Sequence, residues 1–283
     1  MRNLDITTLR SFMAVANAGG VTRAAGFLNL TQSAVSMQLK RLEETLNLQL
    51  LDRSGRGVTL TPAGAQLLTY AQRIVDLNDE AYAKLTDQNW EGDIVLGVPE
   101  DIVYPVIPQV LHRMGRTHPR VRVQLITSFT KTLKESFSKG EVDVILTTET
   151  GVERGGETLA EVPLRWIGAP DGQMWKARPL RVAFCRRCVF REDTLKRLDE
   201  AGIDWELAVD SDSDVTIDAT VSADLAITTK LEGHAPPHLE QIENGNALPD
   251  LGTQQINLYT GSGKTQMVDT LSSYLRQGMT AVA

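Results

Sequence analysis

Cysteine is scarce in this chain: Cys185 and Cys188 are its two, too few for the disulfide framework of a small secreted domain. The four histidines are scattered, so no zinc set forms around that pair and no metal is expected. No apolar run approaches the roughly 20 residues that span a bilayer. The opening MRNLDITTLR has neither the apolar core nor the cleavage site of a secretory signal. A cytoplasmic protein without a membrane partner is therefore expected. Also absent are a nucleophile elbow, an HExxH helix and a convincing catalytic pair of carboxylates. No catalytic residue, cofactor or enzymatic activity is expected. GSGKT, Gly261 to Thr265, invites a nucleotide. A phosphate-binding loop needs glycine five positions before its Gly-Lys pair, and Leu258 stands there.

Basic residues are also in the minority, 29 against 36 acids, which on its face argues against a polyanionic partner. Residues 1–62 reverse the balance: seven bases (Arg2, Arg10, Arg23, Lys40, Arg41, Arg53, Arg56) face four acids (Asp5, Glu43, Glu44, Asp52). A basic head on an acidic body can bind a polyanion at one end and be repelled by it at the other. With 283 residues, 42% of them hydrophobic, the chain has room for about two domains.

Within the head, Leu9, Phe12, Met13 and Ala16 share one helical face, which Gly19-Gly20 ends. A short second helix is capped by Thr22 and runs to Leu28. Thr31 then caps a third, from Thr31 to Leu46. Val35, Leu39, Leu42 and Leu46 point to the core. Gln32, Ser33, Ser36, Met37 and Lys40 lie on the opposite side, as a solvated surface helix would also place them. After the third helix, LQLLDRSGRGVTLTPAG reads as strand-turn-strand with Arg53 and Arg56 around a Gly-rich turn. Three helices and a basic wing make a winged helix-turn-helix. Its short polar side chains let the third helix sink into the major groove of double-stranded DNA while bases hold phosphates.

The stretch LRSFMAVANAGGVTRAAGFLNLTQSAVSMQLKRLEETLNLQLLDRSGRGVTLTPAG resembles the LysR-type transcriptional regulators. The resemblance implies that Thr31, Gln32, Ser33, Ser36, Met37 and Lys40 contact DNA, with Arg53 and Arg56 as wing bases. Met37 departs from the family's usual Arg or Gln; a thioether makes no bidentate base contact, only an apolar one. Leu51, where phenylalanine is usual, is a core replacement. The family also suggests a homodimer or homotetramer on an inverted repeat, RNA polymerase as a candidate partner, and the branch repressing motility and exoenzyme genes.

From Pro62, with Thr61 as cap, Leu67, Ala71, Ile74, Asn78, Ala81 and Leu85 follow a heptad spacing that suits a dimerisation seam. A helix packed on its own domain would show the same pattern. Residues 1–61 thus read as the DNA-binding domain, 62–90 as a linker helix and 91–283 as a regulatory domain. In the last, strands starting near Ile94, Val121, Val142, Arg165, Arg181, Trp205, Leu225 and Ile256 alternate with helices. Those helices fall around Pro105–Gly115, Thr130–Ser138 and Arg191–Ala201. Alternation predicts mainly parallel sheets in a two-lobed α/β body. The resemblance implies a periplasmic-binding-protein type of effector domain, its chain crossing twice between lobes.

Ligands in such sheets bind beyond the strand carboxyl ends. This nominates Glu100, Asp101, Ser128, Thr130 and Thr148 for a small-molecule effector, with Ser128 and Thr130 equally readable as helix caps. Glu100, Asp101 and Glu149 disfavour a plain carboxylate. The segment DSDSDVTIDATVSADLAITT carries Asp224 where the family commonly has glycine. Two rival readings remain. Arg186 and Arg187 would favour thiolate at Cys185 and Cys188, making a redox-responsive regulator; an extended strand would instead hold the two thiols on opposite faces, too far apart to bridge. An enzyme built on the lobed body is the other.

Overall fold

The computed structural model describes residues 3–28, 30–52, 57–85, 91–263 and 265–280. The chain divides into two compact units. One is Met1–Asp93 with Gln109–Arg122 and Ser273–Ala283; the other is Ile94–Pro108 with Val123–Ser272.

The first unit opens with α1 (Ile6–Ala18), where the Asp5 carboxylate accepts from the Thr8 N–H at 2.9 Å and Gly19 ends the helix at φ 61°. The next helix, α2 (Val21–Leu28), starts one residue before the expected Thr22 cap, because the Gly20 carbonyl already accepts from the Ala24 N–H. Thr31 caps α3 (Gln32–Leu46) as predicted, accepting from the Ala34 N–H at 3.2 Å, and Asn47 closes it at φ 52°. Strands β1 (Leu51–Asp52) and β2 (Thr59–Leu60) pair antiparallel, forming the base of the wing. Arg53 and Arg56 lie outside the described residues.

Glu43 of α3 ties the wing down, its carboxylate accepting from the Leu50 N–H at 2.8 Å and the Leu51 N–H at 3.3 Å. In α4 (Pro62–Leu85) Thr61 caps the helix by accepting from the Gly64 N–H at 3.0 Å. Gly64 has no room for a side chain: a Cβ there would sit 2.0 Å from the Leu50 carbonyl oxygen.

Leu9, Phe12, Val15, Val35 and Leu39 form this unit's core together with Leu67, Ala71 and Val75 of α4. The heptad seam is thus divided. Its first half is consumed by the head's own core, leaving Ile74 half-buried and Asn78, Ala81 and Leu85 exposed. The reason is length: the head's core reaches along α4 only as far as Val75, and the helix continues to Leu85. Farther along α4, Asp79 takes Arg10 of α1 and, at 2.7 Å, Arg113 of α5 (Val106–Thr117). Arg116 pairs with Glu80 at 2.6 Å, and the Arg113 guanidinium lies 4.0 Å from the Tyr274 ring centroid.

The second unit is built on a seven-stranded sheet. Its members are β3 (Gly92–Val98), β4 (Val121–Thr127), β5 (Val144–Glu149), β6 (Gly156–Gly168), β9 (Thr228–Leu231), β10 (Glu240–Gln241) and β11 (Thr253–Thr260). They run in the order β10-β6-β11-β5-β3-β4, with β9 beside β6. A second, parallel pair is β7 (Leu180–Cys185) with β8 (Trp205–Ser211). Helices α6 (Thr130–Ser138), α7 (Arg191–Glu200), α8 (Asp214–Ser222) and α9 (Thr265–Thr280) complete the set.

The prediction of mainly parallel pairing needs correction. It holds for β3 with β5 and for β7 with β8, whereas β11 runs antiparallel to both β5 and β6, as β6 does to β9 and β10. The antiparallel pairs arise because β11, from near the far end of the chain, inserts between β5 and β6 and runs against both. One end of β6 pairs with β11 and the other with β9 and β10, so β6 and β11 carry the chain out to a second lobe and back.

Candidate functional site

Two surfaces carry chemistry, one in each unit. In the first, α3 buries Val35, Leu39 and Leu42 and leaves its other face to solvent. Gln32 and Ser33 are exposed and Ser36 is half-buried; Met37 is 69% exposed. The Thr31 and Ser33 hydroxyls lie 3.0 Å apart. One turn on, the Lys40 ammonium projects outward, 3.8 Å from Glu44 and bonded to nothing closer among the described residues. Gln38, between the two faces, is turned inward and accepts from the Ser11 hydroxyl, which ties α3 to α1. The exposed face is therefore short and uncharged at its N-terminal end and cationic farther along. Because its opposite face is fixed in the core, it is presented rigidly.

The second surface is a cleft within the second unit, with a free volume of about 70 Å³. Glu100, Asp101, Ser128, Thr130 and Thr148, nominated from strand ends, all line it. Their placement is set by topology: Glu100 and Asp101 begin the turn after β3, Ser128 comes just after β4, Thr130 opens α6, and Thr148 is near the end of β5. Thr130 does not cap its own helix. Its hydroxyl bridges to β5, donating to the Thr148 carbonyl at 3.3 Å and accepting from the Thr148 N–H at 3.2 Å. Glu149 faces elsewhere, fixed by Lys134, by Asn257 at 3.0 Å and by the Tyr259 hydroxyl at 2.9 Å.

The facing wall comes from the other lobe, and sequence reasoning missed most of it. Lys230 of β9 is only 8% exposed, its ammonium 3.1 Å from Asp218 and 3.8 Å from Asp214, both on α8. These neighbouring carboxylates outweigh burial and raise the Lys230 pKa. A lone lysine in the apolar run LAITTKL, with aspartates four residues apart downstream of β8, was the available signal. Across the cleft, burial pushes the Asp101 carboxyl up to about 6, helped by Asp214. Its Oδ2 is buried with no hydrogen-bond partner among the described residues. Burial, with Asp214 again, raises Glu100 as well.

The structure departs from both cysteine expectations, from one on geometry and from the other on ionisation. Cys185 ends β7, and the chain then turns: the Cys188 N–H donates to the Cys185 carbonyl at 3.2 Å. The pair spans a tight turn that draws the two Cα atoms within about 7 Å, rather than occupying opposite faces of an extended strand. Neither is a ready thiolate. Cys185 is buried and donates to Asp214 at 3.1 Å, while burial pushes Cys188 up to about 12. The flanking arginines do not counter this, since the Arg187 guanidinium is stacked 4.6 Å over Phe129 and sits 3.7 Å from Asp212.

Asp224 explains its own departure from glycine. It adopts φ 52°, the left-handed region that glycine enters freely. Its carboxylate then accepts from the Gln173 N–H at 2.9 Å and the Met174 N–H at 3.1 Å. In GSGKT, the Gly261 N–H is spent on the Asp143 carbonyl at 2.8 Å, and Lys264 lies outside the described residues. No described helix is long and apolar enough to cross a membrane.

Comparison with known proteins gives a family match for each of the two regions that carry these surfaces. Residues 6–65 match the bacterial regulatory helix-turn-helix protein, lysR family, and residues 87–279 match the LysR substrate binding domain. The chain is 30% identical over 250 residues to the HTH-type transcriptional regulator PecT of Dickeya dadantii, covering 88% of this chain and 79% of that protein. It is 32% identical over 263 residues to the HTH-type transcriptional regulator DgdR of Burkholderia cepacia, covering 91% and 88%. The crystal structure of full-length BenM shares the fold, with a TM-score of 0.53 at 19% identity over 97% of this chain and 96% of that one. With a helix-turn-helix head, an effector-binding body and relatives that are regulators rather than enzymes, this chain belongs to the LysR family of DNA-binding transcription regulators.

Proposed function

We propose that the protein reads an inverted-repeat operator as a homodimer or a dimer of dimers, and that a small molecule in the cleft sets its activity. The observation that carries the DNA part is the rigid outward face of α3, Gln32, Ser33, Ser36, Met37 and Lys40, on a helix whose other side is fully buried. Ser36 and Gln32 are of a length to reach base edges, and Lys40 and the wing bases Arg53 and Arg56 supply phosphate contacts. Gel shifts on operator and random DNA test the division of labour. Lys40→Ala should weaken binding to both and flatten the dependence on log salt by about one unit. Ser36→Ala should weaken the operator complex alone. Equal losses on both DNAs for both variants would refute the assignment.

The exposed apolar stripe of α4 supports self-association. Tyr70, Leu77 and Leu85 are 52%, 60% and 84% exposed, and with Ala81 they recur at helical spacing beside the face used by the core. The pairing surface we propose is the second half of the expected seam, with Asn78 at its edge. RNA polymerase as a further partner, a cytoplasmic location, and motility and exoenzyme genes as targets are carried by the family resemblance alone. A redox switch at Cys185 and Cys188 gains from the turn that brings them together and loses from their protonated state, which blocks attack by thiolate. Mass spectrometry after mild peroxide decides it: without a Cys185–Cys188 bridge there is no switch.

A further inference from the structure

We propose that the cleft takes a small ammonium-bearing molecule, held between Glu100 and Asp101 on one wall and Asp214 on the other. This rests on reading the cleft as the effector site. Charge is the first pointer. Two cations line the cleft, Lys230 and Arg187, and each already has carboxylates beside it. Lys230 is buried between Asp214 and Asp218. Arg187 is laid over Phe129 with Asp212 beside it, and more than half its side chain faces solvent. The carboxylates outnumber these cations. Glu100 has no ion-pair partner among the described residues, and Asp214 must serve Lys230 and the Cys185 thiol together.

Asp101 is the sharpest pointer. A buried carboxylate oxygen without a donor costs free energy that a bound donor would recover. An ammonium supplies three donors and the missing positive charge in one group. A carboxylate ligand would add a like charge to a site already acidic. Phe129, Phe184 and Ile217 offer apolar contact for a short hydrocarbon stem. The free volume of about 70 Å³ is well below the roughly 300–1,000 Å³ of drug-sized sites. The occupant is therefore an amine of a few carbons.

The test uses the full-length protein, with melting temperature and calorimetric binding measured for propylamine, putrescine and propionate at matched ionic strength. The amines should bind and raise the melting temperature, and propionate should do neither. Asp101→Asn and Glu100→Gln should each weaken amine binding roughly tenfold, whereas Glu200→Gln on the exposed face of α7 should not. Binding of propionate in preference to the amines would overturn the charge inference and leave the cleft an effector site. Failure of all three to bind would overturn both. Binding of zinc that displaces the amines and is lost in Cys188→Ser would overturn the proposal in favour of a metal.

Discussion

At the residue scale, Asp101 has a consequence for stability that needs no ligand. Its native carboxyl titrates near 6 rather than the usual 3.8 because burial disfavours the charge. A carboxylate whose pKa is raised on folding costs nothing below its unfolded value and its full penalty above its folded one. Asp101→Asn should therefore melt higher than the parent protein at pH 8, by a difference equivalent to about 2–3 kcal/mol. The gap should close as pH falls from about 6 to about 4. Melting curves across that range check it, and a gap constant with pH would mean that Asp101 is not buried as a charge. Single residues were unevenly legible. Thr31 and Thr61 each cap a helix through an N–H three residues on, and Gly19 ends its helix by its own left-handed φ, so the sequence alone identified them. The left-handed Asp224 depends on distant donors, the Gln173 and Met174 N–H groups, so no local pattern announced it. The Cys185–Cys188 turn is local, but its residues, Cys-Arg-Arg-Cys, include none of the Gly, Pro, Asn, Asp or Ser that usually mark a turn.

At the scale of elements, Gly64 binds α4 to the wing. Any side chain there meets the Leu50 carbonyl, so Gly64→Ala must push α4 away from β1. Overpacking of this kind costs about 1–3 kcal/mol. The variant should lose that much stability in denaturant titration, while Gly26→Ala, with open space around its Cβ position, should not. Strong periodicity made α1, α3 and α4 readable, and the α6 bounds coincide with those expected. By contrast, β6 is 13 residues long where five were anticipated, because GETLAEVPL has the charges of a loop and becomes a strand only by pairing with β11. Similarly α8, with little amphipathic contrast and aspartates at both ends of its first turns, gave no periodic signal; its value to the cleft lies in Asp214 and Asp218, which meet Lys230.

For the whole molecule, a basic head and an acidic body predict strong salt dependence confined to the head. Sedimentation should show a dimer or larger species, and Leu77→Lys combined with Leu85→Lys should shift it toward monomer without lowering the melting temperature of the head, since neither residue lies in its core. A monomeric parent protein at micromolar concentration would contradict the paired reading of α4. The two-lobed body was foreseen as an architecture; its strand directions were not, since the antiparallel pairs join strands far apart in the chain, as β11 with β5 and β6, and local hydrophobic alternation does not record such pairing.

Asp79 has the widest reach. Gripped by Arg10 from one helix and Arg113 from another, it keys α4 like a shaft in its socket, so that this helix cannot spin about its axis without breaking both grips. A keyed shaft offers its outer stripe at one azimuth only. Two copies joined along that stripe would then hold their reading heads at a set phase, and operators whose halves are offset by half a turn of the double helix should go unrecognised.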